Sequence, residues 1–267
     1  MSDLAIIAGQ GRLPGLLMQA DPQAHVAGLQ GFAPDGAESF RLEHLGSFLA
    51  GLRARGTKRI VFAGSLRRPS IDPTAIDAAT APLVPRLAMA MRQGDDALLR
   101  AVISVFEEAG LSVIGPTDLI PDLLPAQGVL TRAEPDSDAQ GDADRATALL
   151  RATGPADLGQ GVVVASGQVL ALEALPGTDW MLESVAALRG DGPLARPVPV
   201  GGLLMKRPKP GQDRRIDLPV IGPDTVRRAA AAGLHGIAIE AGGVMILDRA
   251  ETVAAADDAE LFLSVVP

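Results

Sequence analysis

Charged side chains that could bind a ligand or take part in catalysis are concentrated in one stretch, 206–219, which reads KRPKPGQDRRIDLP. Five cations, two aspartates and three prolines share its fourteen positions, and no apolar period runs through it. Clustered cations neutralise bound anions, and carboxylates beside them can hold a hard metal ion or orient a water molecule. We interpret the stretch as a functional loop, the alternative being a solvated charged loop without a ligand.

The backbone of this stretch decides whether its two carboxylates act together. In a helix, Asp213 and Asp217 would stand about one turn apart and could share a cation. In an extended strand, four residues span about 13 Å, which is too far for a shared ion. Prolines disfavour helix and bias the residue before them to extended backbone, so the sequence predicts the extended form and separate tasks for the two aspartates.

Two glycine-containing segments follow predicted strands. AGQGRLPG at 8–15 precedes a predicted helix, whose free N–H groups attract phosphate, but it does not fit the dinucleotide-binding fingerprint. A tight strand-to-helix turn is therefore an equal alternative. AGSLRRPS at 63–70 places Gly64 and Ser65 where ligands contact parallel sheets, with the two following arginines as anion donors. Its alternative is a solvated basic turn.

Two acidic segments precede predicted helices. The aspartates of GDD at 94–96 fit a helix N-cap and first turn better than a magnesium site. EALPGTDW at 173–180 ends a predicted strand and begins a helix, with Asp179 as its expected N-cap. Glu173 and Thr178 fall on the side of the sheet where loops gather, which makes them candidate site residues.

Composition limits the classes of function. The chain has 267 residues, 47% of them hydrophobic, and a net charge of −8, which argues against nucleic-acid binding. It contains no Cys, so disulfides and thiolate metal sites are excluded. No run of about eighteen apolar residues occurs, and the apolar run at the N-terminus is too short for a signal peptide. We therefore expect a soluble cytoplasmic protein.

Short apolar runs alternate with helical patterns through the first half of the chain, which predicts a parallel α/β sheet. The predicted strands are 4–9, 58–65 and 111–116, and the predicted helices are 13–20, 47–56 and 95–110. The polar, acid-rich segment 131–145 interrupts this pattern and places a domain boundary near residue 133.

The second half has its own pattern of strands and helices. Predicted here are two strands in 161–173 joined at Ser166-Gly167, strands 201–206 and 260–266, a hairpin in 236–248 turning at Gly242-Gly243, and helices 179–190 and 224–233. The sequence thus predicts an α/β protein of two α/β-type domains. Residues 1–133 would form a Rossmann-like domain with a parallel sheet, and 134–267 a catalytic domain of mixed α/β structure.

The order of these motifs resembles one known family. IAGQGRLPG, AGSLRRPS, GDDALL, ALEALPGTDWML, KRPKPGQDRRIDLPVIGPDTV and AGLHGIAIEAG follow one another as in the LpxI family of UDP-2,3-diacylglucosamine pyrophosphatases from Gram-negative bacteria. The resemblance covers nearly the whole chain, and GQDRRIDLPVIGPDTV is its most specific part. It departs at Glu183-Ser184, near a position where a basic residue is expected.

The resemblance implies an enzyme of lipid A biosynthesis. It implies Mg²⁺-dependent hydrolysis, with Mn²⁺ as a second candidate metal, of UDP-2,3-diacylglucosamine to UMP and 2,3-diacylglucosamine 1-phosphate (lipid X). The chemistry also leaves open a non-catalytic carrier of an acylated nucleotide-sugar and an enzyme for another UDP-sugar. The expected partners are a lipid-nucleotide substrate and, transiently, the surface of the inner membrane, but not nucleic acid. Whether the chain forms a homo-oligomer stays open.

Under this resemblance, Asp213 is the expected essential carboxylate, as a metal ligand or as a base that orients water. The other expected catalytic residues are Asp217, Asp179 and Gln212, and the expected metal ligands are Asp213, Asp179 and Glu173. The expected substrate-binding residues are Gly9, Gly11, Leu13, Pro14, Gly64, Ser65, Thr178, Lys206, Lys209, Arg214 and Arg215.

Overall fold

The computed structural model describes residues 2–66, 71–156 and 158–267. The predicted anion donors Arg67 and Arg68 lie outside the described residues, as do the side chains of Asp95 and Asp96. The helices are α1 Leu13–Ala20, α2 Leu45–Ala54, α3 Val84–Met91, α4 Asp95–Glu108, α5 Pro116–Leu119, α6 Ser137–Thr153, α7 Gly177–Arg189, α8 Pro223–Ala231 and α9 Arg249–Asp258. The strands are β1 Leu4–Ala8, β2 His25–Leu29, β3 Glu38–Phe40, β4 Arg59–Ala63, β5 Ser112–Ile114, β6 Gly128–Val129, β7 Gly161–Ala165, β8 Gln168–Leu172, β9 Leu203–Lys206, β10 Val220–Ile221, β11 Gly236–Glu240, β12 Met245–Ile246 and β13 Phe262–Val266.

The chain divides into two compact units. The first comprises Met1–Pro121 and the short segment Asp213–Asp217, and the second comprises Asp122–Gln212 and Leu218–Pro267. The strand β6 already pairs with β13, so the chain has entered the sheet of the second unit before residue 133.

The first unit is built on a five-stranded sheet in the order β3-β2-β1-β4-β5. All of its strand pairs are parallel. The central strand β1 reads LAIIA and is buried throughout, as expected for a strand covered by helices on both faces. This order confirms the predicted Rossmann-like sheet. It also creates a switch point between β1 and β4, and ligands of such folds bind at the switch point, outside the carboxyl ends of the strands.

The second unit is built on a six-stranded mixed sheet in the order β6-β13-β11-β9-β7-β8. The strands β9, β11 and β13 are parallel, whereas β7 and β8 form the predicted antiparallel pair. Side chains of α6 pack on one face of the sheet, and side chains of α7, α8 and α9 pack on the other. The predicted α/β class with a parallel and a mixed sheet is therefore confirmed.

One predicted element of the second unit is wrong. Residues 236–248 do not form a hairpin, because β11 pairs in parallel with β9 and β13 in the large sheet. The strand β12 pairs instead with β10 in a separate two-stranded sheet. The double glycine at 242–243 ends one strand without folding the chain back onto it.

A buried carboxylate holds the loop that follows β4 to the start of α2. The side chain of Glu43 is 5% exposed and accepts hydrogen bonds from the Arg41 guanidinium and, at 2.7 Å, from the Asp72 backbone N–H. These bonds, the one to Arg41 first, lower the pKa of Glu43 to about 2. The hydroxyl of Thr80 accepts the Gly46 N–H at 2.8 Å and ties down the far end of the same loop.

Among residues 2–66, 71–156 and 158–267, no helix combines the length and the hydropathy that crossing a bilayer requires.

Candidate functional site

The predicted glycines of the first unit lie where the loops after β1 and β4 cross. The backbones of Gln10 and Ser65 exchange two hydrogen bonds, each 2.9 Å long. A Cβ on Gly9 would lie 2.5 Å from the Ser65 carbonyl oxygen, and one on Gly64 would lie 2.4 Å from the Gln10 carbonyl oxygen. Glycine is required at both positions by this close crossing, which sits at the switch point of the sheet.

The other predicted residues of this group differ in exposure. Leu13 and Pro14 begin α1 and are buried, and the Pro14 ring lies against Gly64. Gly11 is exposed, has a φ of +100°, and a Cβ there would meet no described atom within 4 Å. The open side of the switch point is therefore the backbone around Gly11.

Asp213 is held by an arginine two residues further along the chain. The guanidinium of Arg215 donates to Asp213 through Nε at 3.0 Å and Nη2 at 2.7 Å, and the Arg215 backbone N–H donates at 3.0 Å. The side-chain hydrogen bond from Arg215 lowers the pKa of Asp213, partly offset by burial. The remaining guanidinium nitrogen, Nη1, binds Glu107 at 2.7 Å. Arg215 is thus shared by two carboxylates, which raise its pKa.

Glu107 is a residue that the sequence interpretation missed. It lies in the last turn of α4, 108 positions before Arg215, and nothing in its local sequence distinguishes it from other surface acids. Only the fold brings it to the guanidinium. The ion pair belongs wholly to the first unit, in which Ile216 also packs against the apolar core.

The backbone from Asp213 to Asp217 forms a helical turn, so the prediction of extended structure is wrong. The carbonyl oxygen of Asp213 accepts hydrogen bonds from the N–H groups of Ile216 and Asp217, at 3.3 and 3.2 Å. The three prolines lie outside the turn. Pro219 restricts the backbone of Leu218, which follows the turn, so it does not prevent the turn from forming. Asp213 and Asp217 therefore stand one turn apart, with Arg214 between them in the same turn.

The loop that precedes this turn is fixed by its prolines. A Cβ on Gly243 would lie 2.8 Å from the Pro208 ring, and a Cβ on Gly154 would lie 2.4 Å from the Pro210 ring. The two glycines therefore make room for the rings, which fill the space that side chains would occupy. This packing fixes the loop without regular secondary structure.

Lys209 and Gln212, both predicted site residues, close the same loop. The Lys209 backbone N–H donates to the Gln212 side-chain oxygen at 3.0 Å. Gln212 therefore has a positioning role in the loop, and the chain passes from it directly to Asp213.

Arg207 is a second residue that the sequence interpretation did not assign. Its side chain is 10% exposed, and the guanidinium forms an ion pair with Glu240. It also donates to the Thr147 hydroxyl and to the Pro267 carbonyl oxygen, each at 3.2 Å. These contacts tie the start of the loop to α6 and to the last residue of the chain.

Lys206 is buried at the end of β9, where it meets two other predicted residues. Its Nζ donates to the Thr178 hydroxyl at 2.7 Å and to the Val220 carbonyl oxygen at 3.2 Å. The nearest oxygen of Glu173 lies 4.0 Å from Nζ. That oxygen is buried, and within the described ranges it has no hydrogen-bond partner. Lys206, Thr178 and Glu173 are thus brought together, on the α7 side of the sheet.

Asp179 does not cap α7, contrary to the prediction. The helix begins at Gly177 after Pro176, so Asp179 is its third residue and lies in the first turn. Its carboxylate pairs with Arg228 at 3.3 Å, and Glu183 pairs with the same guanidinium. Arg228 is therefore shared by two carboxylates, those of Asp179 and Glu183.

The predicted metal ligands fall in different units. Asp213 belongs to the first, whereas Asp179 and Glu173 belong to the second. Among residues 2–66, 71–156 and 158–267, no three carboxylate or imidazole side chains gather in a way that could hold a metal ion by themselves.

Comparison with known proteins gives consistent matches over the chain. The profile of the LpxI N-terminal domain matches residues 3–123, and that of the LpxI C-terminal domain matches residues 126–264. The UDP-2,3-diacylglucosamine pyrophosphatase LpxI of Caulobacter vibrioides is 39% identical to this chain. That alignment covers 98% of this chain and 97% of the relative.

Proposed function

The chain belongs to the LpxI family, and we propose that it hydrolyses UDP-2,3-diacylglucosamine to UMP and 2,3-diacylglucosamine 1-phosphate. The observation that carries the proposal is the match, over nearly the full length of both chains, to a relative named for this pyrophosphatase activity. In the reaction, water adds to one phosphorus of the diphosphate and the bridging P–O bond breaks. Each product then carries one phosphate.

The turn at Asp213–Asp217 provides the carboxylate and the positive charge that this reaction needs. Hydrolysis of a diphosphate requires an oriented water molecule and cations that stabilise charge on the transferring phosphoryl group. Asp213 would orient the water or the metal ion, because Arg215 fixes both of its oxygens. Arg214, in the same turn, and Lys209, in the preceding loop, would bind the phosphate oxygens.

Arg215 and Glu107 would act through Asp213 and not on the phosphates directly. The two carboxylates already use three nitrogens of the guanidinium, which leaves little of its charge for a ligand. The ion pair with Glu107 anchors Arg215 to α4. We therefore assign both residues a positioning role.

Magnesium fits the donor set only as an ion shared with the substrate. Mg²⁺ in such sites is usually held by one or two carboxylates together with substrate phosphate oxygens and water. Asp213 would be its first protein ligand, and Asp217 lies on the same turn. Glu173 and Asp179, the other predicted ligands, belong to the second unit, and each already faces a cation there. When bound, the ion would supply charge stabilisation at the diphosphate.

The uridine end would lie at the switch point of the first sheet. Gly9 and the residues of the Gln10–Ser65 crossing already use their backbone N–H groups within the protein. The approach of the nucleotide would therefore be along the open backbone at Gly11. The lipid would be taken from the cytoplasmic surface of the inner membrane by transient contact, since the acyl chains hold the substrate there.

Release of UMP from purified UDP-2,3-diacylglucosamine tests the proposal. We expect Mg²⁺-dependent turnover with this substrate and at least tenfold lower kcat/KM with UDP-sugars that lack acyl chains. Binding of the acylated substrate without UMP release would show a carrier instead. Equal turnover of acylated and unacylated UDP-sugars would show an enzyme for another substrate.

A further inference from the structure

Arg100 is an exposed arginine in α4 of the first unit, and neither the sequence motifs nor the proposed reaction assigns it a role. It lies seven residues before Glu107. Seven residues are close to two helical turns, so both side chains leave α4 on one face, about 10.5 Å apart along its axis. Val105 and Phe106 pack into the apolar core from the opposite side of the helix. Arg100 therefore shares a surface with the carboxylate that binds Arg215.

The direction of α4 places Arg100 nearer than Glu107 to the ligand-binding edge of the sheet. The helix ends at Glu108 and packs against β5, which begins at Ser112, so the two elements run in opposite directions. The C-terminal end of α4 therefore lies where β5 begins, and its N-terminal half extends towards the edge where the strands end. In a sheet of this strand order, ligands bind at that edge.

The turn at Asp213–Asp217 lies at the same edge. A Cβ on Gly115, the residue after β5, would lie 3.5 Å from the Cα atom of Arg215. From there the Arg215 side chain runs back along the strand, since its Nη1 lies 3.5 Å from the Val113 carbonyl oxygen and 2.7 Å from Glu107. The backbone of the turn is therefore at the carboxyl end of β5, and the long side chain of Arg215 connects it to the end of α4.

Asp213 is close enough to Arg100 for their charges to interact. The side-chain hydrogen bond from Arg215 is the main cause of the lowered pKa of Asp213, and the positive charge of Arg100 lowers this pKa further. The contribution of Arg100 is coulombic and smaller. A ligand held at the Asp213 carboxylate would therefore also interact with the charge of the Arg100 guanidinium.

The charges around the turn leave room for a further cation. The turn carries two arginines and two aspartates, and Glu107 adds one negative charge, so these groups together have one negative charge in excess. They would repel a diphosphate. Arg100 offsets this excess from the adjoining helix. A guanidinium has five N–H donors in a planar arrangement that can bind two phosphate oxygens at once.

We propose that Arg100 is a substrate-binding residue that holds phosphate oxygens beside Asp213. It supplies positive charge that Arg215 cannot supply, because two carboxylates already occupy the Arg215 guanidinium. A bound phosphoryl group would thus meet a cation from α4 together with the carboxylate that orients the water or the metal ion. The identification of the anion as the diphosphate of the substrate rests on the proposed function.

Removing the charge of Arg100 tests the inference. Arg100→Gln is compared with Arg86→Gln, the matched control, because Arg86 is also an arginine of the first unit and contacts α4 through Glu108 at 2.7 Å. Arg100→Lys keeps the charge but loses the planar donor group. Inorganic pyrophosphate is titrated with Mg²⁺ into the wild type and the three variants by calorimetry. In parallel, KM and kcat are measured with UDP-2,3-diacylglucosamine, and thermal melting checks folding.

We expect pyrophosphate to bind the wild type and Arg86→Gln equally, Arg100→Gln about tenfold or more weakly, and Arg100→Lys with intermediate affinity. The KM for the substrate should rise about fivefold or more in Arg100→Gln, and its melting temperature should not change, because the side chain is exposed. Equal pyrophosphate affinity in folded Arg100→Gln, or a wild type that binds no pyrophosphate, would overturn the anion-binding role. A lower kcat with unchanged KM and pyrophosphate affinity would show that Arg100 acts only on Asp213, which also contradicts the inference.

Failure of the proposed function would give a different result. A wild type that binds pyrophosphate through Arg100 but releases no UMP would refute the function and leave the anion site standing. Conversely, UMP release with KM and kcat unchanged in Arg100→Gln would refute the role of Arg100 and leave the function standing.

Discussion

Replacing Asp213 by alanine should lower turnover strongly and the free energy of unfolding only slightly. The ion pair with Arg215 lies near the surface, with side chains 22% and 40% exposed, so its loss should cost about 1 kcal/mol of unfolding free energy. For a chain of this size that lowers Tm by about 2–4 °C. Arg215 keeps Glu107 as a partner, which limits the structural change.

The effect on turnover should be much larger. Loss of one strongly positioned electrostatic contact typically lowers kcat about a hundredfold, which is about 2.7 kcal/mol in the transition state. Removal of an acid beside bound phosphates also relieves repulsion, so we expect Asp213→Ala to retain intact UDP-2,3-diacylglucosamine. UMP release, thermal melting and mass spectrometry of extracted lipid measure the three effects. Asp224→Ala, an exposed acid that pairs with Arg227 on α8, is the control and should change none of them.

Near wild-type turnover in folded Asp213→Ala would refute the assignment of the essential carboxylate. Asp217→Ala is the informative companion because the two residues share one helical turn. A loss confined to Asp217→Ala would move the catalytic role to that residue. Glu107→Gln tests the positioning role, and we expect about a tenfold lower kcat with an unchanged KM, since Glu107 binds the Arg215 guanidinium and would act on Asp213 through it.

Three further results are expected. Turnover should vanish in EDTA and return with Mg²⁺ or Mn²⁺, and full activity in chelator would exclude the metal. Gly64→Ala should lower the free energy of unfolding by about 1–3 kcal/mol, because its Cβ would overlap the Gln10 carbonyl oxygen. Gly11→Ala, also at positive φ but in open space, should cost about 1 kcal/mol or less. Equal melting temperatures of the two variants would contradict this expectation. Because the pKa of Glu43 is lowered to about 2, the stability that its carboxylate contributes is present above about pH 4.5 and is lost as the pH falls towards 2. The Tm difference between wild type and Glu43→Gln should therefore shrink over that pH range. A pH-independent difference would show that the carboxylate charge does not contribute.

The sequence predicts best the elements that carry a run of apolar residues. The apolar runs at β1 and β4 and the helix α1 are found close to their predicted bounds. Central parallel strands are covered on both faces and are therefore rich in apolar residues. By contrast, β2 and β3 were missed. Their sequences HVAGL and ESF mix polar and small residues, because these strands lie at or next to the sheet edge and need less apolar burial.

The wrong predictions in the candidate site have a common cause. Rules for local sequence do not show which residues distant in the chain will contact each other. The prolines in 206–219 led to a prediction of extended backbone. In the structure, the chain turns at Asp213, and this residue is held by Arg215, which also binds the distant Glu107. Likewise, the double glycine at 242–243 indicates a turn from local sequence alone. Whether the strands on either side pair with each other depends on the sheets, in which β11 pairs with β9 and β12 pairs with β10. The residue types at the site were predictable, but their partners were not.

The short segment Asp213–Asp217 has a consequence for inheritance. It is encoded within the second half of the gene, yet its Ile216 packs against the apolar core of the first unit. A single recombination breakpoint near residue 121 would therefore pack the segment of one relative against the first-unit core of another. Exchange of one unit between relatives requires two segments to move at once. The two units are thus expected to diverge as a pair and not as interchangeable modules.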